Sequence, residues 1–234
     1  MIRIAIPAAS FVALAACAPV AEKPPQAAGE QPAAYMALGT EPGWTLEITD
    51  TRLNYVGDYG ETRIIVPNPG GGLDPRFRSY TTDRLRITII QGICSDGMSD
   101  RRYAEKVTVV ADGKTVTGCG GKILPPDTLA GSNWTFVSIG GKPVTSDRPT
   151  SLQFDGDRLS GSAGCNRFSG RYSATGDTLT AGPLMATEMA CPGMELEQLF
   201  FKLMTTTVNL TFADDGTLVL TGSGDRTAVL RRVI

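Results

Sequence analysis

Short segments in which apolar and polar residues alternate dominate the chain from about residue 35 onward, and this period of two predicts β-strands. In the first half the alternation is clearest at residues 44–48 and 53–57, which we predict to form a hairpin, and at residues 85–90. Asp112-Gly113 separates two more predicted strands, and this dipeptide is typical of tight hairpin turns. No amphipathic helix is indicated in this half.

A second series of predicted strands begins at about residue 133, with turn sequences at residues 155–156, 175–177 and 214–216. One helix, at residues 194–204, is predicted within the series. Its apolar residues recur with helical spacing and form a single face, at Leu196, Leu199, Phe200 and Leu203. The sequence therefore predicts a mostly antiparallel, curled sheet that is covered by one helix.

The proline-rich segment at residues 125–127 separates the two series. We therefore predict a mainly β protein with two small antiparallel, curled β-sheet domains, of which the C-terminal one is α+β with one packed helix. The predicted domains span residues 35–124 and 129–234. Residues 17–34 contain mostly Ala, Pro, Glu and Gln without a hydrophobic period, which is typical of a flexible tether.

The N-terminal segment has the pattern of a bacterial lipoprotein signal peptide. An apolar stretch at residues 4–16 follows one positive charge and ends in the sequence LAAC. This stretch is shorter than the roughly 20 residues that a membrane-spanning helix needs, but it suits the core of a signal peptide. We expect residues 1–16 to be removed and Cys17 to be lipidated. The alternative is an ordinary secretory signal with an incidental cysteine.

The residue after the predicted lipidated cysteine bears on the location of the protein. Ala18 occupies the position where an inner-membrane retention signal usually has Asp. This difference favours the outer membrane, with the protein facing the periplasm, and display at the cell surface is the alternative. The expected membrane contact is thus the lipid on Cys17.

Charge and composition narrow the classes of function. The formal net charge is −2, which gives no basic footprint for nucleic acid, so we expect no nucleic-acid partner. The chain contains 0 histidines, which excludes Ser-His-Asp and Cys-His catalysis and metal sites built on imidazole. We therefore expect no enzymatic activity, no metal and no cofactor, although catalysis by paired carboxylates stays open.

Four cysteines remain after the one assigned to lipid: Cys94, Cys119, Cys165 and Cys191. An even number in an oxidising compartment favours disulfides, and four cysteines allow three pairings. The two-domain interpretation favours Cys94–Cys119 and Cys165–Cys191, because each pair then lies within one domain. A four-cysteine metal site is the alternative, but no CxxC sequence occurs.

Three stretches of the second half resemble a known family: residues 129–134 (LAGSNW), 161–172 (GSAGCNRFSGRY) and 185–192 (MATEMACP). In this order, with the predicted helix after them, they resemble the META domain of the HslJ-like heat-shock lipoproteins over about residues 129–233. The resemblance implies an α+β fold with a single helix and an association with envelope stress, heat stress or antibiotic tolerance. It implies no established chemistry.

The first half has a resemblance of its own. Residues 39–44 (GTEPGW) and 94–103 (CSDGMSDRRY) are similar to an uncharacterised domain of small Gram-negative lipoproteins. That pattern often has an aromatic residue where Gly43 stands in this chain, so the packing of the first strand is expected to differ. This resemblance also implies no activity.

The polar residues around the second cysteine pair have two interpretations. In the functional one, Asn166, Arg167, Tyr172 and Glu188 form one face of a ligand groove. In the structural one, which we favour, Asn166 satisfies backbone groups of a turn and Arg167 pairs with Glu188. Beside the first pair, a polar loop contains Asp96, Asp100 and Arg101, and it is either a partner-recognition loop or a solvated loop.

Together these features predict a non-enzymatic, lipid-anchored envelope protein with a META domain that binds an envelope protein or a small ligand during stress. The alternative is an inhibitor of a secreted hydrolase, such as a lysozyme or a protease. An enzyme that uses carboxylates is a third class, and a deep pocket with a perturbed carboxylate pair would indicate it.

Overall fold

The computed structural model describes residues 34–72, 74, 76–145, 148–191 and 194–233. The predicted signal peptide, Cys17 and the predicted tether up to residue 33 lie outside the described residues. The described chain folds into two antiparallel sheets and one α-helix, which confirms the mainly β fold class. No helix in this part of the chain is long and apolar enough to span a membrane.

The first sheet contains eight antiparallel strands. They are β1 (Tyr35–Thr40), β2 (Gly43–Ile48), β3 (Arg52–Gly57), β4 (Thr62–Pro67), β5 (Phe77–Thr81), β6 (Leu85–Ser95), β7 (Arg102–Ala111) and β8 (Lys114–Leu124). Their order in the sheet is β4-β3-β2-β1-β8-β7-β6-β5. Two four-stranded meanders are thus joined where β1 pairs with β8.

Both meanders contribute to one core, because the alternating apolar residues of each point to the same face of the curled sheet. Trp44 lies in this core, and its indole N–H donates to the Thr117 carbonyl at 3.2 Å. Two glycines make room for its ring: a Cβ at Gly39 would lie 2.1 Å from Trp44 Nε1, and one at Gly118 would lie 2.7 Å from Trp44 Cζ2. A side chain at either position would displace the indole from the core.

The second sheet contains ten strands. They are β9 (Asn133–Ile139), β10 (Lys142–Pro143), β11 (Ser151–Asp155), β12 (Arg158–Ser162), β13 (Arg167–Thr175), β14 (Thr178–Ala181), β15 (Met185–Ala186), β16 (Val208–Phe212), β17 (Leu218–Thr221) and β18 (Thr227–Val233). The order β9-β11-β12-β13-β14-β16-β17-β18 closes on itself because β18 also pairs with β9. The short strands β10 and β15 pair with β9 and β13.

The single helix, α1 (Glu195–Met204), packs its apolar face into the core of the second sheet, as the sequence predicts. Phe200 is fully buried, and its ring centroid lies 5.0 Å from those of both Phe136 and Phe168. Complete burial of a Phe side chain is worth about 2–3 kcal/mol. The same face also buries Glu197, a polar residue whose partner lies in the site described next.

Candidate functional site

Two disulfides hold the predicted site regions, and both have the predicted pairing. Cys94 of β6 is bonded to Cys119 of β8, with 5.5 Å between the Cα atoms. Cys165, between β12 and β13, is bonded to Cys191, shortly before α1, with 6.0 Å between the Cα atoms. The second bond therefore ties the start of the helix to the sheet.

Asn166 lies beneath this second disulfide and is only 2% exposed. Its Nδ2 donates to Glu197 Oε1 at 2.8 Å and to the Met189 carbonyl at 3.2 Å. Its Oδ1 accepts from the Met189 N–H at 2.7 Å and from the Thr187 hydroxyl at 2.8 Å. Asn166 thus satisfies backbone groups of the segment before the helix, as the structural interpretation predicts.

Glu197 is the buried partner that the sequence analysis missed. Its side chain is 3% exposed, and its Oε2 accepts the Asn166 backbone N–H at 2.6 Å. Its spacing from Phe200 and Met204, three and seven residues along the helix, places it on the buried face. That spacing is the sequence signal that could have identified it, since a buried acidic residue needs hydrogen-bond donors.

The predicted pairing of Arg167 with Glu188 is wrong. In the part of the chain that the structure describes, the two side chains form no ion pair, and both residues are exposed. The reason is register: the Thr187 N–H donates to the Arg167 carbonyl at 3.0 Å, and the Arg167 N–H donates to the Thr187 hydroxyl at 3.2 Å. Thr187, not Glu188, therefore lies opposite Arg167.

A groove of about 800 Å³ lies beside the Cys165–Cys191 disulfide, on the outer side of β11, β12 and β13. Arg148 and Arg167 line it together with serine and glutamine side chains of these strands, and we call it the META groove. Arg148 Nη1 donates to Cys191 Sγ at 3.5 Å, which places this guanidinium next to the disulfide. The disulfide and the Asn166 network thus fix one wall of the groove.

Of the four predicted residues, only Arg167 is among the described residues that line the META groove. Tyr172 packs against Phe154, with ring centroids 5.0 Å apart in an edge-to-face arrangement. Burial raises the pKa of Tyr172 above its usual value, and the nearby carboxylates of Asp157 and Asp155 add to the increase. The structure therefore places Tyr172 outside the groove lining, Glu188 between the lining residues Thr187 and Met189, and Asn166 beneath the wall.

In the first sheet, Asp96 organises the predicted polar loop. Its Oδ1 accepts the N–H groups of Met98 at 3.1 Å and Ser99 at 2.8 Å, and its Oδ2 accepts the Ser99 hydroxyl at 2.7 Å. Burial acts to raise the pKa of Asp96, but these hydrogen bonds outweigh it and lower the pKa below its usual value. The loop also lines a cavity of about 570 Å³ that includes Glu41 and Lys106.

The other two residues of this loop lie at the contact between the two sheets. The Arg232 guanidinium donates to the Asp100 carboxylate, and it lies 5.9 Å from the centre of the Trp134 ring. Arg101 lines a narrow cleft together with Trp134 and Phe212 of the second sheet. The structure thus gives Asp100 and Arg101 a position between the sheets.

Two further contacts join the sheets at the same place. The Ile123 N–H donates to the Asp214 carbonyl at 2.9 Å, and Lys122 Nζ lies 3.0 Å from Asp214 Oδ1. The end of β8 therefore contacts the second sheet directly. The polar loop after Cys94 is held at one end by the Asp96 hydrogen bonds and at the other by the Asp100–Arg232 pair. In the described ranges, no group of three or more His, Cys, Asp or Glu side chains is placed to hold a metal ion.

Comparison with known proteins agrees with the sequence resemblance in the second half. The META domain model matches residues 127–233. The heat shock protein HslJ of Escherichia coli (strain K12) is 36% identical over 77 residues, which cover 32% of this chain and 55% of HslJ. The match thus spans about half the length of that relative.

Two solution NMR structures are also similar to part of the chain. One is 30% identical, covers 44% of this chain and 90% of its own, and has a TM-score of 0.39. The other, from Burkholderia xenovorans, is 23% identical, covers 45% of this chain and 83% of its own, and has a TM-score of 0.38. The family assignment depends on the sequence matches. Residues 127–233 of this chain therefore form a META domain, and this part of the chain is HslJ-like.

Proposed function

We propose that this protein is a lipoprotein of the bacterial envelope, anchored by lipid on Cys17 to the outer membrane and facing the periplasm, whose META domain has a binding role during stress. The sequence LAAC before the anchor and Ala18 after it support this location. The two disulfides suit an oxidising compartment. The stress role is supported by the HslJ relative, which is named as a heat shock protein.

The META groove is the observation that carries the binding role. It is a preformed concave surface of about 800 Å³, within the range of about 300–1,000 Å³ that is usual for ligand sites. Among the described residues that line it, no carboxylate, lysine or tyrosine is present to act as a general base. This composition favours binding over catalysis.

The anchor is tested by fractionating cells that express the wild-type protein or the Cys17→Ser variant. We expect the wild-type protein in the outer-membrane fraction, with the mass of a lipidated chain, and the variant without lipid and outside that fraction. The matched Ala18→Asp variant should stay lipidated but move to the inner membrane. A wild-type protein without lipid, or a Cys17→Ser variant that still carries it, would refute the anchor.

The binding role is tested by crosslinking the lipidated protein in living cells, at rest and under heat shock, and identifying by mass spectrometry what is recovered with it. One reproducible partner, or one small molecule that co-purifies with the protein, is the expected result. Recovery of the protein alone under both conditions would contradict the proposal.

We propose inhibition of a secreted hydrolase as the second candidate, because one loop has a suitable form. The Asp96 hydrogen bonds and the Cys94–Cys119 bond hold this loop, and Met98 projects from it with 74% of its surface exposed. Titration of a lysozyme and a panel of proteases with the full-length protein tests this candidate. Stoichiometric inhibition that is lost in Met98→Asp would support it, and full hydrolase activity at excess protein would exclude it for those enzymes.

A further inference from the structure

The cavity of about 570 Å³ on the first sheet lies where the two stretches that carry the sequence resemblance of the first half meet. Thr40 and Glu41 belong to residues 39–44, and one wall of the cavity is formed by residues 94–98. The Thr40 hydroxyl donates to the Asp96 carbonyl at 3.0 Å, across 56 positions of sequence. We call this space the loop cavity, and it shares no lining residue with the META groove.

The floor of the loop cavity is the outer face of β7 and β8. Val107 is buried in the core of the sheet, so its neighbours Lys106 and Thr108 point to the opposite, outer face. Thr117 of β8 lies opposite Thr108, and continuing the register of β1 with β8 places Thr40 next to Thr117. Three threonine side chains therefore form a row across three strands, with Lys106 beside it.

The wall of the loop cavity is held in place before a ligand arrives. The Cys94–Cys119 bond fixes the start of this wall to β8. The Asp96 carboxylate accepts three hydrogen bonds, one from Met98 and two from Ser99, so both of its oxygens are engaged within the loop. Binding in such a preformed cavity costs little ordering of the chain.

Two opposite charges face the loop cavity without a protein partner. Lys106 and Glu41 both line it and are both exposed, and neither forms an ion pair with any side chain that the structure describes. Lys106 lies on β7, and Glu41 lies in the turn between β1 and β2. Only β8 separates β1 from β7, so these two strands are about 10 Å apart. A small molecule between them meets an ammonium group on one side and a carboxylate on the other.

From these charges, we infer that the loop cavity binds a small zwitterion, which is a free amino acid or a short peptide. The carboxylate of the ligand accepts hydrogen bonds from the Lys106 ammonium, and its own ammonium donates to the Glu41 carboxylate. The hydroxyl groups of Thr108 and Thr117 are available to the polar atoms between the two charges. This inference goes beyond the proposed function, because it concerns a different sheet and a different site.

The test is calorimetric titration of the full-length mature protein in an uncharged detergent, with L-alanine and L-alanyl-L-alanine as probes. Each probe is compared with its N-acetyl form, which lacks the ammonium, and with its C-terminal amide, which lacks the carboxylate. We expect saturable binding of at least one zwitterion and at least fivefold weaker binding of both of its blocked forms. Tighter binding of alanine identifies a free amino acid, and tighter binding of the dipeptide identifies a peptide. The affinity should fall as the salt concentration rises, because both contacts are charged and open to solvent.

Two variants assign the two ends of the ligand. Lys106→Gln should remove the preference for a free carboxylate, so that the zwitterion and its amide bind equally. Glu41→Gln should remove the preference for a free ammonium, so that the zwitterion and its N-acetyl form bind equally. The matched controls are Arg86→Gln and Glu61→Gln, because both residues are exposed in the same half of the chain and lie outside the cavity lining. They should keep both preferences and change the affinity less than twofold.

Lys106 and Glu41 are exposed, so their variants should fold. Three results would overturn the inference: no binding of either zwitterion, equal binding of a zwitterion and its blocked forms, or the same change in Arg86→Gln as in Lys106→Gln. None of them bears on the META groove, whose binding role is tested by crosslinking in cells.

Discussion

Asn166 offers the sharpest test of how the wall of the META groove is held. Asn166→Asp keeps the shape and the oxygen that accepts from Met189 and Thr187. It replaces the Nδ2 donor, which lies 2.8 Å from Glu197 Oε1, with a carboxylate oxygen. Two hydrogen bonds from Nδ2 are lost, and two acidic side chains face each other at a site where Glu197 is 3% exposed.

The loss of stability in Asn166→Asp can be estimated from these contacts. A hydrogen bond to a charged group is worth about 1.5–3 kcal/mol and a neutral one about 1 kcal/mol, so the lost donors cost about 3 kcal/mol. Repulsion between the two carboxyl groups adds to this at neutral pH. Because each kcal/mol shifts the Tm of a protein of this size by about 2–4 °C, we expect the Tm at pH 7 to fall by about 10 °C.

The dependence on pH distinguishes repulsion from the loss of hydrogen bonds. Two carboxyl groups this close share a proton, so the folded variant binds a proton more readily than the unfolded chain does. The difference in Tm between the wild-type protein and Asn166→Asp should therefore shrink as the pH falls from 7 to 5. Asn166→Ala lacks the second carboxyl group, but it also loses the two hydrogen bonds that Oδ1 accepts, at about 1 kcal/mol each. It should therefore lose about 5 kcal/mol in the free energy of unfolding, with no such recovery at low pH.

Thermal unfolding followed by circular dichroism between pH 5 and pH 8 measures both variants against the wild-type protein. If Asn166→Asp is as stable as the wild type at pH 7, or tracks Asn166→Ala at every pH, the proposed contact between residue 166 and Glu197 is refuted.

Three other predictions concern the disulfides and the first loop. Replacing Cys165 and Cys191 with Ala should lower the free energy of unfolding by about 3 kcal/mol, since the bond closes a loop with a sequence separation of 26. An unchanged midpoint of urea unfolding would contradict this. Asp100→Asn should cost less than about 1 kcal/mol, because Asp100 is 57% exposed in its pair with Arg232; a larger loss of urea stability would mean that the pair carries more of the contact between the sheets. The lowered pKa of Asp96 means that its contribution to stability is present above about pH 4 and disappears as the pH falls through the lower, folded-state value. Asp96→Asn should therefore flatten the decrease of Tm between pH 5 and pH 3, and an identical decrease would refute the role of its hydrogen bonds.

Local periodicity predicts much of this fold, because alternation and hairpin turns act over a few residues. It identifies β2, β3 and the helix, and the division into two halves then gives the disulfide pairing. It missed β1, whose pairing with β8 is long-range in sequence, and β5, where Tyr80 is the one buried residue of a short edge strand. A local pattern also cannot predict that β9 and β18 pair and close the second sheet, because these strands are far apart in sequence.

The site was less predictable because its contacts depend on register and on distant partners. The motif around Cys165 identifies Asn166 as a candidate, but nothing local distinguishes its buried partner Glu197 from an exposed acidic residue of a helix. Only the position of Glu197 on the apolar face of α1 indicates that it is buried. The predicted partner of Arg167, Glu188, is one residue away from the actual partner, Thr187. In an antiparallel pair, a shift of one residue changes the partner. The Asp100–Arg232 contact joins the two sheets, so neither half contains a signal for it.

We propose that the META groove binds a ligand or partner in the cell envelope. A photo-crosslinking amino acid at Gln153, an exposed position in the groove, tests it directly when compared with one at Thr211, an exposed position on β16 outside the groove lining. We expect light to produce a reproducible adduct from position 153 in living cells and none from position 211. Equal labelling from both positions, or no adduct from position 153 at rest and under heat shock, would contradict it.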